Sequence, residues 1–150
     1  MQRITSFEVD HNKLTPGLYI SRVDGDITTY DLRTKKPNSG DYMDSAAMHT
    51  IEHLFATYVR NSPLQSHIIY AGPMGCRTGF YLLVRDLEPR KAVGLIKESF
   101  ALIKNFDDTI PGSTKIECGH YEEHDLAAAR RIAAEYTEVL NGCSEKTLVY

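Results

Sequence analysis

His49, Glu52 and His53 stand in the run His-Thr-Ile-Glu-His, inside a stretch whose apolar residues recur at helical spacing. Side chains four apart on a helix share a face, so the two imidazoles can reach one metal ion, with Glu52 beside them as a ready base. A catalytic metal takes a third protein ligand and keeps one position open for substrate or water. The residues that could supply that ligand are Cys118, His120, Glu117, Glu122, Glu123, His124 and His11. Cys118, which precedes Gly119 between a short extended stretch and a helix, is attractive because a thiolate binds zinc or ferrous iron strongly. Cys76 carries a second kind of chemistry. It follows Pro73-Met74-Gly75 at a turn that opens onto a strand, with Arg77 next to it, and a thiol beside a cation can act as a nucleophile or a proton-transfer group. The bland alternative makes the histidines solvated helix positions and the cysteines small buried apolar groups, with Cys143 incidental.

Positioning these groups requires elements that the sequence marks out. Asp44 or Ser45 can cap a helix that Asn61-Ser62-Pro63 ends, and Ile51, Leu54, Phe55, Tyr58 and Val59 give it a buried stripe bordering the His and Glu edge. Residues 18–23 and 27–33 alternate around Asp24-Gly25-Asp26, which predicts a hairpin; a polar loop, 34–43, leads into the metal helix. Residues 67–71 and 78–85 read as two further strands flanking the loop that carries Cys76. Pro89 can open a second helix with Ala92, Val93, Ile96, Phe100 and Ile103 on one face, 107–113 is a loop, and 124–140 is a third helix. The order ββαββαα, without regular βαβ alternation, predicts a segregated α+β fold, a mostly antiparallel sheet covered by helices.

Composition excludes several classes of function. A chain of 150 residues, 42% hydrophobic, fits one domain over 1–150 with a real core. The net charge of −3, with Lys and Arg scattered, offers no basic field for nucleic acid. No apolar leader follows Met1, and no apolar run is long enough to span a bilayer, which predicts a soluble cytoplasmic protein. Three widely spaced cysteines do not make a disulfide framework, in keeping with a reducing compartment.

Five segments, in order and over nearly the whole chain, resemble the S-ribosylhomocysteine lyase (LuxS) family. They are Ser6-Phe7-Glu8-Val9-Asp10-His11; Tyr30-Asp31-Leu32-Arg33 with Lys36-Pro37-Asn38; His49-Thr50-Ile51-Glu52-His53-Leu54; Gly72-Pro73-Met74-Gly75-Cys76-Arg77-Thr78-Gly79-Phe80-Tyr81; and Glu117-Cys118-Gly119 with His124-Asp125-Leu126. The resemblance implies metal ligation by His49, His53 and Cys118, an acid/base pair of Glu52 and Cys76, and substrate contacts by Ser6, His11, Arg33 and Arg60. It implies a four-stranded antiparallel sheet with helices and a homodimer with sites at the interface. One divalent metal per subunit is implied, ferrous iron, replaceable by zinc or cobalt. The implied reaction moves a carbonyl along the ribose chain through enediolates and then expels homocysteine by β-elimination, leaving 4,5-dihydroxy-2,3-pentanedione, the precursor of the quorum-sensing signal autoinducer-2. Homocysteine returns to the activated methyl cycle. Many members carry an acidic residue on the substrate-facing wall where this chain has Tyr70, and residues 113–117 also differ from the family's usual approach to the cysteine ligand.

Two other readings use the same residues. His-x-x-Glu-His is also the signature of inverted zinc peptidases, but those look for a carboxylate third ligand and leave Cys76 without a role. A structural metal site would close with a fourth protein ligand, His120 or His124.

Overall fold

The computed structural model describes residues 2, 4 and 7–150. A hairpin of β1 (Gly17–Asp24) and β2 (Ile27–Arg33) leads through a loop to α1 (Ser45–Asn61). After a single 3₁₀ turn at Gln65–His67 come β3 (Ile68–Pro73), β4 (Gly79–Arg85), α2 (Pro89–Asn105) and α3 (Leu126–Asn141). The strands form one four-stranded sheet in the order β1-β2-β4-β3, every neighbouring pair antiparallel, so the expected α+β architecture is the one observed.

Alternation along the two central strands gives the sheet two unlike faces. Tyr30 pairs with Leu82 and Leu32 with Phe80, and all four are fully buried under the helices. There Phe100 lies 6.5 Å from Phe80 and 4.8 Å from Tyr136, ring centre to ring centre, and Phe55 completes the aromatic centre of the core at 5.5 Å from Phe100. The intervening residues point the other way: Asp31 pairs with Tyr81 and Arg33 with Gly79. Gly79 is required at that register, because a Cβ there would stand 2.6 Å from the Leu32 carbonyl oxygen. Helices therefore cover one face, and a charged pair, Asp31 with Arg33, is embedded in the other.

Several expected boundaries move by a residue or two. Asp44 stands at the N-cap of α1 in extended conformation but its side chain makes no capping bond. The expected third helix begins two residues later than 124, at Leu126, because Asp125 caps it through a bond from the Ala128 N–H at 2.8 Å. His124 is thereby left outside the helix. His67, expected in a strand, ends the 3₁₀ turn before β3.

Candidate metal centre and thiol pocket

On α1, His49 and His53 lie one turn apart, and each imidazole is fixed by the main chain of a facing loop. His49 Nδ1 lies 2.8 Å from the Glu123 carbonyl oxygen and His53 Nδ1 2.9 Å from that of Pro111. A carbonyl can only accept, so both Nδ1 atoms carry hydrogen, and in the neutral imidazole that tautomer leaves the lone pair on Nε2. Those lone pairs meet Cys118, whose Sγ is 3.4 Å from His49 Nε2 and 3.8 Å from His53 Nε2. Gly112 makes the approach to His53 possible: it takes a φ of +70°, and a Cβ there would stand 3.3 Å from His53 Nδ1. Cys118 closes a turn on the Thr114 carbonyl, and its sulfur accepts the His120 backbone N–H at 3.4 Å.

His124 joins this group. Thr50 spends its one hydroxyl hydrogen on the Ala46 carbonyl at 2.8 Å and accepts the Asp125 N–H at 3.0 Å, so His124 Nδ1, 3.2 Å away, must donate to it. His124 Nε2 is then an unprotonated lone pair, buried and without a partner. Burial first, and then the neighbouring His49 and His53, push this imidazole below the ordinary histidine pKa and keep it neutral. Donor atoms from His49, His53, Cys118 and His124 all lie within 4.8 Å of one another. Three imidazole nitrogens and a thiol, with tautomers set and one lone pair orphaned, suit zinc, ferrous iron or cobalt. Oriented imidazoles of this kind are the usual outer-shell design of a metal site.

The remaining expected residues fall into three places. Glu52 is half-buried on α1 between the two histidines but is not one of the four clustered donors. Cys76 is exposed in the β3–β4 loop, with its Sγ 3.0 Å from Thr78 Oγ1 and 3.9 Å from Arg33 Nη1. The cation at the thiol is thus Arg33; the sequence neighbour Arg77 instead lies over the Tyr42 ring, 5.9 Å from its centre. Cys76 and His11 line two adjoining cavities, of about 480 Å³ and 310 Å³. Arg33 and Asp31 line the second of these with Tyr81 and Tyr150, and none of the four clustered donors lines either. Arg60 is exposed near the end of α1, donating to the Ile69 carbonyl at 3.3 Å, and adjoins neither group. Ser6 lies outside the described residues. Tyr70 is exposed on β3 and folds over Gly72, where a Cβ would meet its hydroxyl at 2.0 Å.

Sequence reasoning left His124 among several open candidates and did not reach Thr50, Thr78, Asp31 or Tyr150. The pairing of Asp31 and Arg33 at i and i+2 on one strand was the available signal for the buried ion pair.

The family model for S-Ribosylhomocysteinase (LuxS) matches residues 4–146. The S-ribosylhomocysteine lyase of Borreliella burgdorferi (strain ZS7) is 46% identical over 156 residues, covering 100% of this chain and 99% of that protein. Those of Desulfotalea psychrophila and Clostridium beijerinckii are 46% and 41% identical over 157 residues each, with the same coverage. No helix among the described residues is long and apolar enough to cross a membrane.

Proposed function

The chain belongs to the S-ribosylhomocysteinase (LuxS) family, and from that premise we propose that it is a metal-dependent carbon-sulfur lyase that cleaves S-ribosylhomocysteine to homocysteine and 4,5-dihydroxy-2,3-pentanedione. The observation that carries the reading is the convergence of His49, His53 and Cys118 with both imidazole tautomers fixed by carbonyls. These three residues hold one divalent ion, ferrous iron in our reading. His124 is stacked on His49, ring centres 4.2 Å apart and planes 20° from parallel, which keeps its lone pair in a separate plane. With His49, His53 and Cys118 as the ligands one position stays open for substrate, and His124 is the neighbouring donor that would have to join to close a structural site. When bound, the metal supplies Lewis-acid polarisation of a carbonyl oxygen.

The chain's own residues move the protons. Each carbonyl shift along the sugar takes a proton from one carbon and returns it to the next, and the last step removes a proton as the thiol leaves. Two groups on different sides of the sugar are needed, and Glu52 and Cys76 take those roles, each worth about 10²- to 10⁴-fold in rate. His11 and Arg33, which line the thiol pocket, contact the substrate together with Ser6, whereas Arg60, which adjoins neither group in this chain, has no geometric support for that role.

Within one chain the donor cluster belongs to the helix layer and Cys76 opens on cavities lined by Asp31, Arg33 and Tyr81 from the opposite sheet face. A homodimer that brings one subunit's thiol pocket against the partner's metal centre would unite them, and exposed Phe7, Ile116 and Tyr121 offer apolar surface for it. The enzyme works in the cytoplasm, returning homocysteine to the activated methyl cycle and supplying the precursor of autoinducer-2. The direct test is homocysteine release from S-ribosylhomocysteine by anaerobically purified protein, followed with a thiol reagent and repeated after chelation. Chelator-sensitive release is expected; no release from protein holding one metal per chain would overturn the reading.

A further inference from the structure

Arg33 and Asp31 are 3% and 1% exposed, a buried ion pair beside a reactive thiol. Asp31 Oδ2 accepts Arg33 Nη2 at 2.5 Å, and the same oxygen accepts the hydroxyl of Tyr150 at 2.8 Å. Arg33 Nη1 donates to Thr78 Oγ1 at 2.7 Å, which leaves the Thr78 hydroxyl hydrogen free for Cys76 Sγ at 3.0 Å. A hydrogen-bonded series thus runs from Tyr150 through Asp31, Arg33 and Thr78 to Cys76. Tyr150 is fixed in turn by stacking on Tyr19, ring centres 4.9 Å apart, and it lines the same cavity as Cys76, Arg33 and His11. Burial, and then the charge of Asp31, push the Tyr150 hydroxyl well above the ordinary tyrosine range, so it stays a donor at neutral pH.

A carboxylate that shares one oxygen between a guanidinium and a phenol neutralises the guanidinium less than one that serves it alone, because both donors draw on the same charge. We propose that Tyr150 is a positioning residue of the thiol pocket: by occupying Asp31 it keeps the positive charge of Arg33 effective at Cys76, so that the cavity prefers an anionic oxygen group. This deepens the lyase reading, on which only the identity of the anionic group as part of the substrate depends.

The test compares alkylation of Cys76 by iodoacetate, an anion, and by iodoacetamide, its neutral counterpart, with the modified peptide quantified by mass spectrometry at one pH. The ratio of the two rates reads the local charge, and a merely structural loss would leave it unmoved. Tyr150→Phe keeps the ring and removes only the hydroxyl; it should lower the ratio by about threefold to tenfold, the range that one hydrogen bond covers. Asp31→Asn should raise the ratio above wild type, and adding Tyr150→Phe to it should change nothing further. An unchanged ratio in Tyr150→Phe, or a further fall on adding it to Asp31→Asn, overturns the proposal. If Tyr150→Phe does not fold by circular dichroism, Tyr150→Leu, which also removes the hydroxyl, takes its place with the same expectation, an unchanged ratio counting against us. Homocysteine release by the wild type is measured in the same samples: its absence counts against the lyase reading, while the ratios alone judge Tyr150.

Discussion

At the metal centre the reactive groups are held by main chain: the carbonyls of Glu123 and Pro111 fix the imidazoles of His49 and His53, and a backbone N–H supports the Cys118 sulfur. At the thiol pocket they are held by side chains, since Cys76 meets Thr78 and Arg33, and Arg33 leans on Asp31. The first arrangement rests on one helix and the two loops facing it. The second depends on strand register, because only the pairing of Arg33 with Gly79 and of Asp31 with Tyr81 sets the ion pair beside the β3–β4 loop. A cluster built on main chain is most sensitive to its own ligands and to the course of the loops that face them. A cluster built on side chains passes on every change in its network.

The largest effects should separate the two regions. Cys118→Ala removes the only sulfur donor among the four clustered residues; bound metal and turnover should be lost together. Metal affinity, measured by chelator competition, should fall by more than the roughly 10- to 100-fold that loss of an outer-shell partner costs. Stoichiometric metal in that variant would break the ligand assignment. Glu52→Gln and Cys76→Ala should retain metal and lose about 10²- to 10⁴-fold in turnover, and either one staying active removes its proton-transfer role. If the two regions meet across a dimer, mixing these two inactive variants after subunit exchange should restore about a quarter of wild-type activity, because half the dimers are mixed and each mixed dimer has one intact site. No recovery despite proven exchange would place both groups of one site in a single chain.

Smaller effects sharpen the contrast within the metal region. Asp125→Ala removes the cap of α3 and should cost about 1 kcal/mol in a denaturation midpoint analysis. Glu123→Ala, which leaves the carbonyl that holds His49 in place, should change metal affinity least of all; a loss beyond about threefold would mean that the side chain contributes after all.

Much of the metal region was legible because its signals are local. His49 and His53 share a helix face by spacing alone, and the start of α2 at Pro89 follows from φ geometry. The hairpin and the two strands around Cys76 were legible from alternation and turn residues in the same way. Cys118 was one of several candidates, since a loop's approach to a helix 65 or more residues away is set by packing that no short window contains. His124 stayed one of several candidates, because the third helix was expected to begin there, when Asp125 caps it instead and leaves the imidazole on the loop. The thiol pocket was less legible still. Arg77 adjoins Cys76 in sequence, yet the cation that reaches the sulfur is Arg33, 43 positions away, delivered by cross-strand register. Tyr150 meets Asp31 across 119 positions, a contact that periodicity cannot reveal.

The carbonyls of Glu123 and Pro111 have one further consequence, for how this protein can vary over time. Every residue type brings a carbonyl, so substitutions at these two positions leave the acceptors that orient the ligand histidines in place provided the loop keeps its path. The exposed residues 114–117, just ahead of Cys118, supply no side chain to the four clustered donors, so the placing of those donors does not depend on which side chains stand there. What the site asks of that loop is the course of the chain, with Gly112 as its fixed point, more than particular side chains.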